Sequence, residues 1–191
     1  PLYGDTALAL GDDIIAVNSF SKYFAMTGWR LGWLVLPPAL VGAVEKLAQN
    51  LYICPSTIAQ HAALACFEPS SIAQYERRRE AFAQRRDLAL AGLQRLGLAV
   101  PVPPDGAFYA YADVSAHAAS SWDFCFDMMR RAQVALTPGR DFGHTGGERF
   151  MRLSFACDEA QLQAALARLQ SKDGPDVGQP ARKDRSDDDR R

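Results

Sequence analysis

The apolar positions change period several times along the chain, and each change marks an element. Asp13 to Val17 is a short apolar run closed by polar residues, which predicts a buried strand. Asn18 to Gly28 is polar and irregular and predicts a loop. Leu31 to Leu36 predicts a second buried strand, stopped by Pro37-Pro38 because proline cannot donate to a sheet ladder. From Pro38 the spacing turns helical: Leu40, Val44, Leu47 and Leu51 fall on one face, and Pro38 suits a first helical turn, where its missing N–H is not needed. A further helix is predicted from Ser56 to Phe67, interrupted by Pro69.

Ile72 to Leu96 is long and charged, with Tyr75, Phe82, Ala89, Leu93 and Leu96 on one face and Gly97 placed as a C-terminal cap. Its arginines, Arg77, Arg78, Arg79, Arg85 and Arg86, are interleaved with Glu76, Glu80 and Asp87, the pattern of a solvated helix face rather than a polyanion site. Ala107 to Val114 is aromatic-rich and strand-like. Trp122, Phe126 and Met129 give Ser121 to Gln133 a helical face. Val134 to Thr137 predicts a short strand, Pro138-Gly139 a turn, and Phe150 to Phe155 an alternating strand. Asp158 with Gln161 predicts the N-terminus of a last helix buried through Leu162, Leu166 and Leu169. From Ser171 onward the chain is polar and aperiodic, which predicts disorder.

Composition narrows the functional classes. The net charge of -1 gives no basic excess with which to bind nucleic acid or a membrane surface. No apolar run approaches the roughly 20 residues that span a bilayer, and no secretory signal is visible. Cys54, Cys66, Cys125 and Cys157 are scattered, the usage of reduced, mostly buried thiols in a cytoplasmic protein, and the dispersed His61, His117 and His144 argue against a metal site.

The chemistry concentrates in residues 18–32, Asn-Ser-Phe-Ser-Lys-Tyr-Phe-Ala-Met-Thr-Gly-Trp-Arg-Leu-Gly. Ser19 and Ser21 flank Lys22, and Arg30 follows a Thr-Gly. Hydroxyls and a planar guanidinium fork suit a phosphate, and a lysine beside a phosphate cradle can form an imine with a phosphorylated aldehyde. The loop lies between two strands, where α/β proteins place ligands. Read from residue types alone, the segment fits a phosphate-bearing carbonyl cofactor, or simply a serine-rich loop.

The full string resembles the cofactor-lysine signature of class I aminotransferases, within the fold-type I pyridoxal phosphate enzymes, and is most similar to their bacterial subgroup. The resemblance implies that Lys22 holds pyridoxal 5'-phosphate as a Schiff base and moves the substrate proton, and that Ser19, Ser21 and Arg30 bind the phosphate. It makes Met26 and Trp29 packing residues. Downstream, Pro104-Asp105-Gly106-Ala107-Phe108-Tyr109 resembles the family's entry to a small-domain strand, and Val134 to Gly139 the loop before the substrate-binding strand. Phe150-Met151-Arg152-Leu153-Ser154-Phe155 resembles that strand, which makes Arg152 the ligand of the substrate α-carboxylate. Without the resemblance, Arg152 reads as an edge or exposed arginine, and Arg140 and Arg149 as surface residues.

The implied fold class is α/β: the end of the large cofactor-binding domain over residues 1–70, a small C-terminal αβ domain over 71–170, and a tail over 171–191. The implied reaction transfers an amino group from an amino acid to a 2-oxo acid, in a homodimer when the protein is full length. The family's aspartate at the pyridine nitrogen, its ring-stacking aromatic and its remaining cofactor contacts precede the matched region, so the chain by itself is expected to be an inactive C-terminal fragment. Two other readings share the lysine signature: a carbon–sulfur lyase or decarboxylase, and a non-catalytic effector-binding module of a transcription regulator.

Overall fold

The protein is described from a computed structural model that defines residues 6–170, so the expectation of a disordered tail lies outside the described residues. The mixture of helices and strands is an α/β arrangement in two units, dividing between Arg79 and Glu80.

In the first unit, β1 (Ala16–Ser19) pairs antiparallel with β2 (Gly32–Val35), in the register Ala16 with Val35 and Ser19 with Gly32. Helix α1 (Pro38–Leu51) starts with Pro38 in its first turn, as its sequence predicts. Helix α2 (Thr57–Leu64) is capped by Ser56, whose side chain accepts from the Ala59 N–H, and ends in a 3-10 turn over Ala65–Phe67. Pro69 opens the next helix, α3 (Pro69–Arg95), rather than breaking one; proline is compatible with a first turn.

The expectation of two buried strands is corrected here. The first strand begins at Ala16, not Asp13, and Val17 is 77% exposed. All four residues of β2 are exposed, and α1 buries none of its residues, Leu40, Leu47 and Leu51 of its predicted face included. The strands pair with each other, and the small core of the unit lies elsewhere. That core comprises Phe20, Met26, Leu31, Ala59, Ala63, Cys66 and Tyr75, with Phe24, Ala62 and Ile72 packed against it. Phe20, Met26 and Leu31 come from the stretch between the strands, so the segment that reads as a polar loop is anchored by three apolar side chains. Trp29, expected to pack, is exposed instead.

The second unit is built on a three-stranded antiparallel sheet in the order β3-β5-β4. β3 (Tyr109–Asp113) and β5 (Phe150–Ser154) alternate strictly in burial. Ala110, Ala112, Met151 and Leu153 face the core, with Ala89 and Leu93 of α3, Phe124, Cys125 and Met128 of α4 (Ser121–Arg131), and Leu162 and Leu166 of α5 (Glu159–Gln170). Two helix ends form as their residues dictate. Gly97 (φ +72°) closes α3: Leu98 N–H donates to the Leu93 carbonyl and Gly97 N–H to the Gln94 carbonyl, a Schellman cap. Asp158 caps α5 by accepting from the Gln161 N–H at 2.7 Å.

Two further expectations are corrected. The buried face of α4 is Ser121, Phe124, Cys125 and Met128, while Trp122 and Met129 are exposed. Trp122 instead lies under the Arg140 guanidinium, 4.6 Å from its ring centre, so an aromatic at helical spacing marks a surface stack rather than the core. The strand expected over 134–137 shrinks to β4 (Thr137–Pro138). The thiols are all free, but Cys54 is exposed and Cys157 half-buried; Cys66 and Cys125 are buried, and burial, helped by Asp141, pushes the Cys125 thiol up to about 11. No described helix is long and apolar enough to cross a membrane.

Asp113, at the end of β3, accepts from Arg149 Nε at 2.7 Å and from the Ser115 hydroxyl and N–H. These donors, the guanidinium first, hold its carboxyl well below the usual carboxylate range. A lowered folded-state pKa contributes stability that is complete above about pH 4 and drains away as the pH falls below it. Asp113→Asn is expected to flatten that acid loss in a pH series of urea unfolding curves. In the same assay Leu93→Ala, at a fully buried core position, is expected to cost about 2–5 kcal/mol. Leu51→Ala, at a position 77% exposed in α1, is expected to stay within about 0.5 kcal/mol.

Candidate active site

The chain between β1 and β2 reverses direction and must return Leu31 beside Phe20. The Phe20 N–H donates to the Leu31 carbonyl, and the Met26 N–H to the Phe20 carbonyl. With Phe20, Met26 and Leu31 turned into the core, the polar residues between them are left at the surface. The turn is tight enough to force two non-glycine residues into the left-handed region, Ala25 (φ +57°) and Arg30 (φ +53°). Such positions cost about 1–3 kcal/mol each and gather at functional sites.

The consequence is a cluster of donors. Ser19 Oγ donates to Ser21 Oγ at 2.9 Å and accepts the Ser21 N–H at 3.0 Å. Arg30 Nη1 reaches the Ser21 hydroxyl at 3.5 Å and donates to the Thr27 carbonyl at 2.8 Å. Thr27 locks the turn by donating its hydroxyl to the Ser21 carbonyl at 2.6 Å. Lys22 is exposed next to this cluster, its carbonyl accepting from the Ala25 N–H. Three of the residues singled out by sequence, Ser19, Ser21 and Arg30, are thus brought into one hydrogen-bonded group with Lys22 adjacent in the chain. Two hydroxyls and a guanidinium at the surface have the donor chemistry of an oxyanion site.

Arg152 occupies the second unit. It lies on β5, the central strand, opposite Tyr111 of β3 and Thr137 of β4, so it is neither an edge residue nor a fully exposed one. It stands on the face away from the core, with Tyr109, Tyr111 and Phe150 on the same side. Its Nη2 donates to the Thr137 hydroxyl at 3.5 Å, while its Nε is buried with no hydrogen-bond partner among the described residues. A buried donor without a partner costs about 1–3 kcal/mol, and a carboxylate meeting the guanidinium would relieve it. Arg149 and Arg140 differ as their sequence context implies: each is substantially exposed and tied to a carboxylate, Asp113 and Glu148 respectively.

Sequence reasoning missed Tyr109 and Phe142, whose rings lie 4.1 Å and 4.5 Å from the Arg152 guanidinium. Alternation in β3 could have placed Tyr109 on the outer face; no periodicity points to Phe142, which follows β4 in a 3-10 turn. Among the described residues no group of three His, Cys, Asp or Glu side chains could hold a metal ion.

The family profile of aminotransferase class I and II matches residues 5–169. A valine–pyruvate aminotransferase from Mycobacterium tuberculosis is 45% identical over 82% of this chain and 40% of its own length. An aspartate aminotransferase from Pyrococcus abyssi is 36% identical over 82% of this chain and 40% of its own. Among solved structures, an aminotransferase from Mycobacterium tuberculosis superposes with a TM-score of 0.85 at 42% identity, covering 87% of this chain and 43% of that one. The aromatic aminotransferase from Pyrococcus horikoshii gives 0.75 at 37% identity, over 81% and 41%. The chain spans about two-fifths of the length of the curated relatives it matches. With the match running through both units, the chain belongs to the class I and II aminotransferase family.

Proposed function

We propose that this chain is the part of a pyridoxal phosphate-dependent aminotransferase that carries the cofactor lysine, the phosphate anchors and the carboxylate ligand. The observation that supports the reading most is the hydrogen-bonded group of Ser19, Ser21 and Arg30 beside Lys22. Its donors fit the dianionic phosphate of the cofactor, and Lys22 would hold the aldehyde. Once bound, pyridoxal phosphate supplies an electron-withdrawing ring that makes the substrate Cα proton acidic. The Lys22 amine would take that proton from Cα and pass it to the cofactor's C4′ carbon, which requires the amine to be neutral at that moment. Arg152 contributes a guanidinium for the α-carboxylate shared by amino acids and 2-oxo acids, so the same group serves both halves of an amino transfer.

The first unit is read as the closing part of the large cofactor-binding domain and the second as the small domain. The exposed apolar side chains of β1, β2 and α1 support this, because sequences of that type are covered in a complete α/β domain. Activity is accordingly assigned to a protein of the relatives' length, acting as a cytoplasmic homodimer, and not to residues 1–191 by themselves.

The test uses the product of the complete open reading frame that contains this chain, supplied with pyridoxal phosphate, a 2-oxo acid and valine, aspartate or phenylalanine in turn. Amino transfer to the 2-oxo acid is expected; ammonia release without a new amino acid would overturn the reading in favour of a lyase. Arg30→Ala is expected to weaken cofactor binding about tenfold or more, measured by equilibrium dialysis of pyridoxal phosphate. Unchanged binding would remove Arg30 from the phosphate site.

A further inference from the structure

Two rings lie against the Arg152 guanidinium, and they come from the chain on opposite sides of the central strand. Tyr109 belongs to β3, which pairs with one edge of β5; Phe142 follows β4, which pairs with the other. Their ring centres lie 4.1 Å and 4.5 Å from the Arg152 Cζ. Rings packed this closely against a planar cation favour approach along its free edge and keep water from Nε, the atom found buried and unpartnered among the described residues.

Phe142 has no core role that accounts for its position. It is 50% exposed, and its ring meets Tyr111 edge-on in addition to Arg152. The loop that carries it is nevertheless held firmly. Ser121, fully buried at the start of α4, donates its hydroxyl to the Gly147 carbonyl at 2.9 Å and accepts the Gly139 N–H at 3.3 Å. One side chain thereby ties both ends of the segment 139–147. Gly139 is packed so closely that an added Cβ would come within 2.5 Å of the Gly147 and Phe150 carbonyl oxygens. At the far side of Phe142, Gly143 takes φ +153°, a backbone that favours glycine. A buried hydroxyl and the tightly fitted Gly139 thus fix a half-exposed ring over a cation.

We infer that Tyr109 and Phe142 are positioning residues that form an aromatic slot, fixing the plane of the Arg152 guanidinium so that it meets a planar carboxylate edge to edge. Arginine has several rotatable bonds, and a ligand that must first order it binds more weakly than one that finds it ordered. The slot performs that ordering before the ligand arrives and favours a flat, in-plane oxyanion over a bulky tetrahedral one. This rests on the reading of Arg152 as the carboxylate ligand.

The experiment uses the complete open-reading-frame product, with a spectroscopic arm on the 191-residue chain. Phe142→Leu is expected to raise KM for the amino acid about tenfold, leaving kcat within about twofold and the melting temperature unchanged. Phe142→Tyr, which keeps the ring, is expected to behave as wild type. In arginine-selective NMR of the chain, the Arg152 Nε–H is expected upfield of other arginines because of the two rings, and Phe142→Leu is expected to move it back. Arg152→Lys separates the two claims. If it leaves KM unchanged, the carboxylate role of Arg152 fails. If it raises KM while Phe142→Leu does not, or if Phe142→Tyr is as impaired as Phe142→Leu, the slot fails. An Nε–H resonance that does not respond to Phe142→Leu also overturns it.

Discussion

The candidate cofactor site depends on the pairing of Ser19 with Gly32 at the end of a two-stranded ribbon. A Cβ at position 32 would fall 2.5 Å from the Asn18 carbonyl oxygen, so the strands reach this register only with glycine there. Once they do, residues 20–31 must close within a short span. Burying Phe20, Met26 and Leu31 inside that span leaves Ser21, Lys22, Thr27 and Arg30 outside, and the left-handed turn at Arg30 carries its guanidinium back to Ser21. The site is therefore a by-product of packing a tight reversal: the apolar anchors fix the backbone, and the backbone delivers the polar groups.

The second unit solves the equivalent problem with a sheet. Strict alternation in β3 and β5 gives one face wholly to the core, where small residues (Ala110 and Ala112) admit the helices. The other face is then free to carry Tyr109, Tyr111, Phe150 and Arg152 together. A cation in the middle of a sheet would be costly on the core side; on the outer face its guanidinium packs against the Tyr109 and Phe142 rings. Burial raises the Tyr111 hydroxyl, on the same face, above its ordinary range.

Much of this was legible in the sequence, and the failures have physical causes. Helix positions, the Asp158 cap and the Gly97 stop follow from local chemistry and formed as read. Burial was misjudged where it depends on what covers an element. The runs at 13–17 and 31–36 have the composition of covered strands, yet β1 and β2 are open in the described structure, and α1 with them. In α4 the apolar spacing offered two competing faces, and the one holding Phe124, Cys125 and Met128 packs inward. The strand expected over 134–137 forms only at its end, as Thr137–Pro138. Lys22, Ser19, Ser21, Arg30 and Arg152 were singled out because a fixed string carries them. The rings on Arg152 were not, because one arrives through strand pairing and the other through a loop closed by Ser121, and neither is a local pattern.

The central claim is that the 18–32 segment presents a lysine beside a phosphate anchor. The most direct measurement is borohydride reduction of the protein mixed with pyridoxal phosphate, followed by peptide mapping by mass spectrometry, with free pyridoxal as the comparison. The account predicts that Lys22 is the dominant labelled residue, that it is labelled far better by the phosphorylated aldehyde than by pyridoxal, and that Arg30→Ala erases the difference. Labelling spread evenly over Lys22 and Lys46, or equal labelling by the two aldehydes, would contradict it.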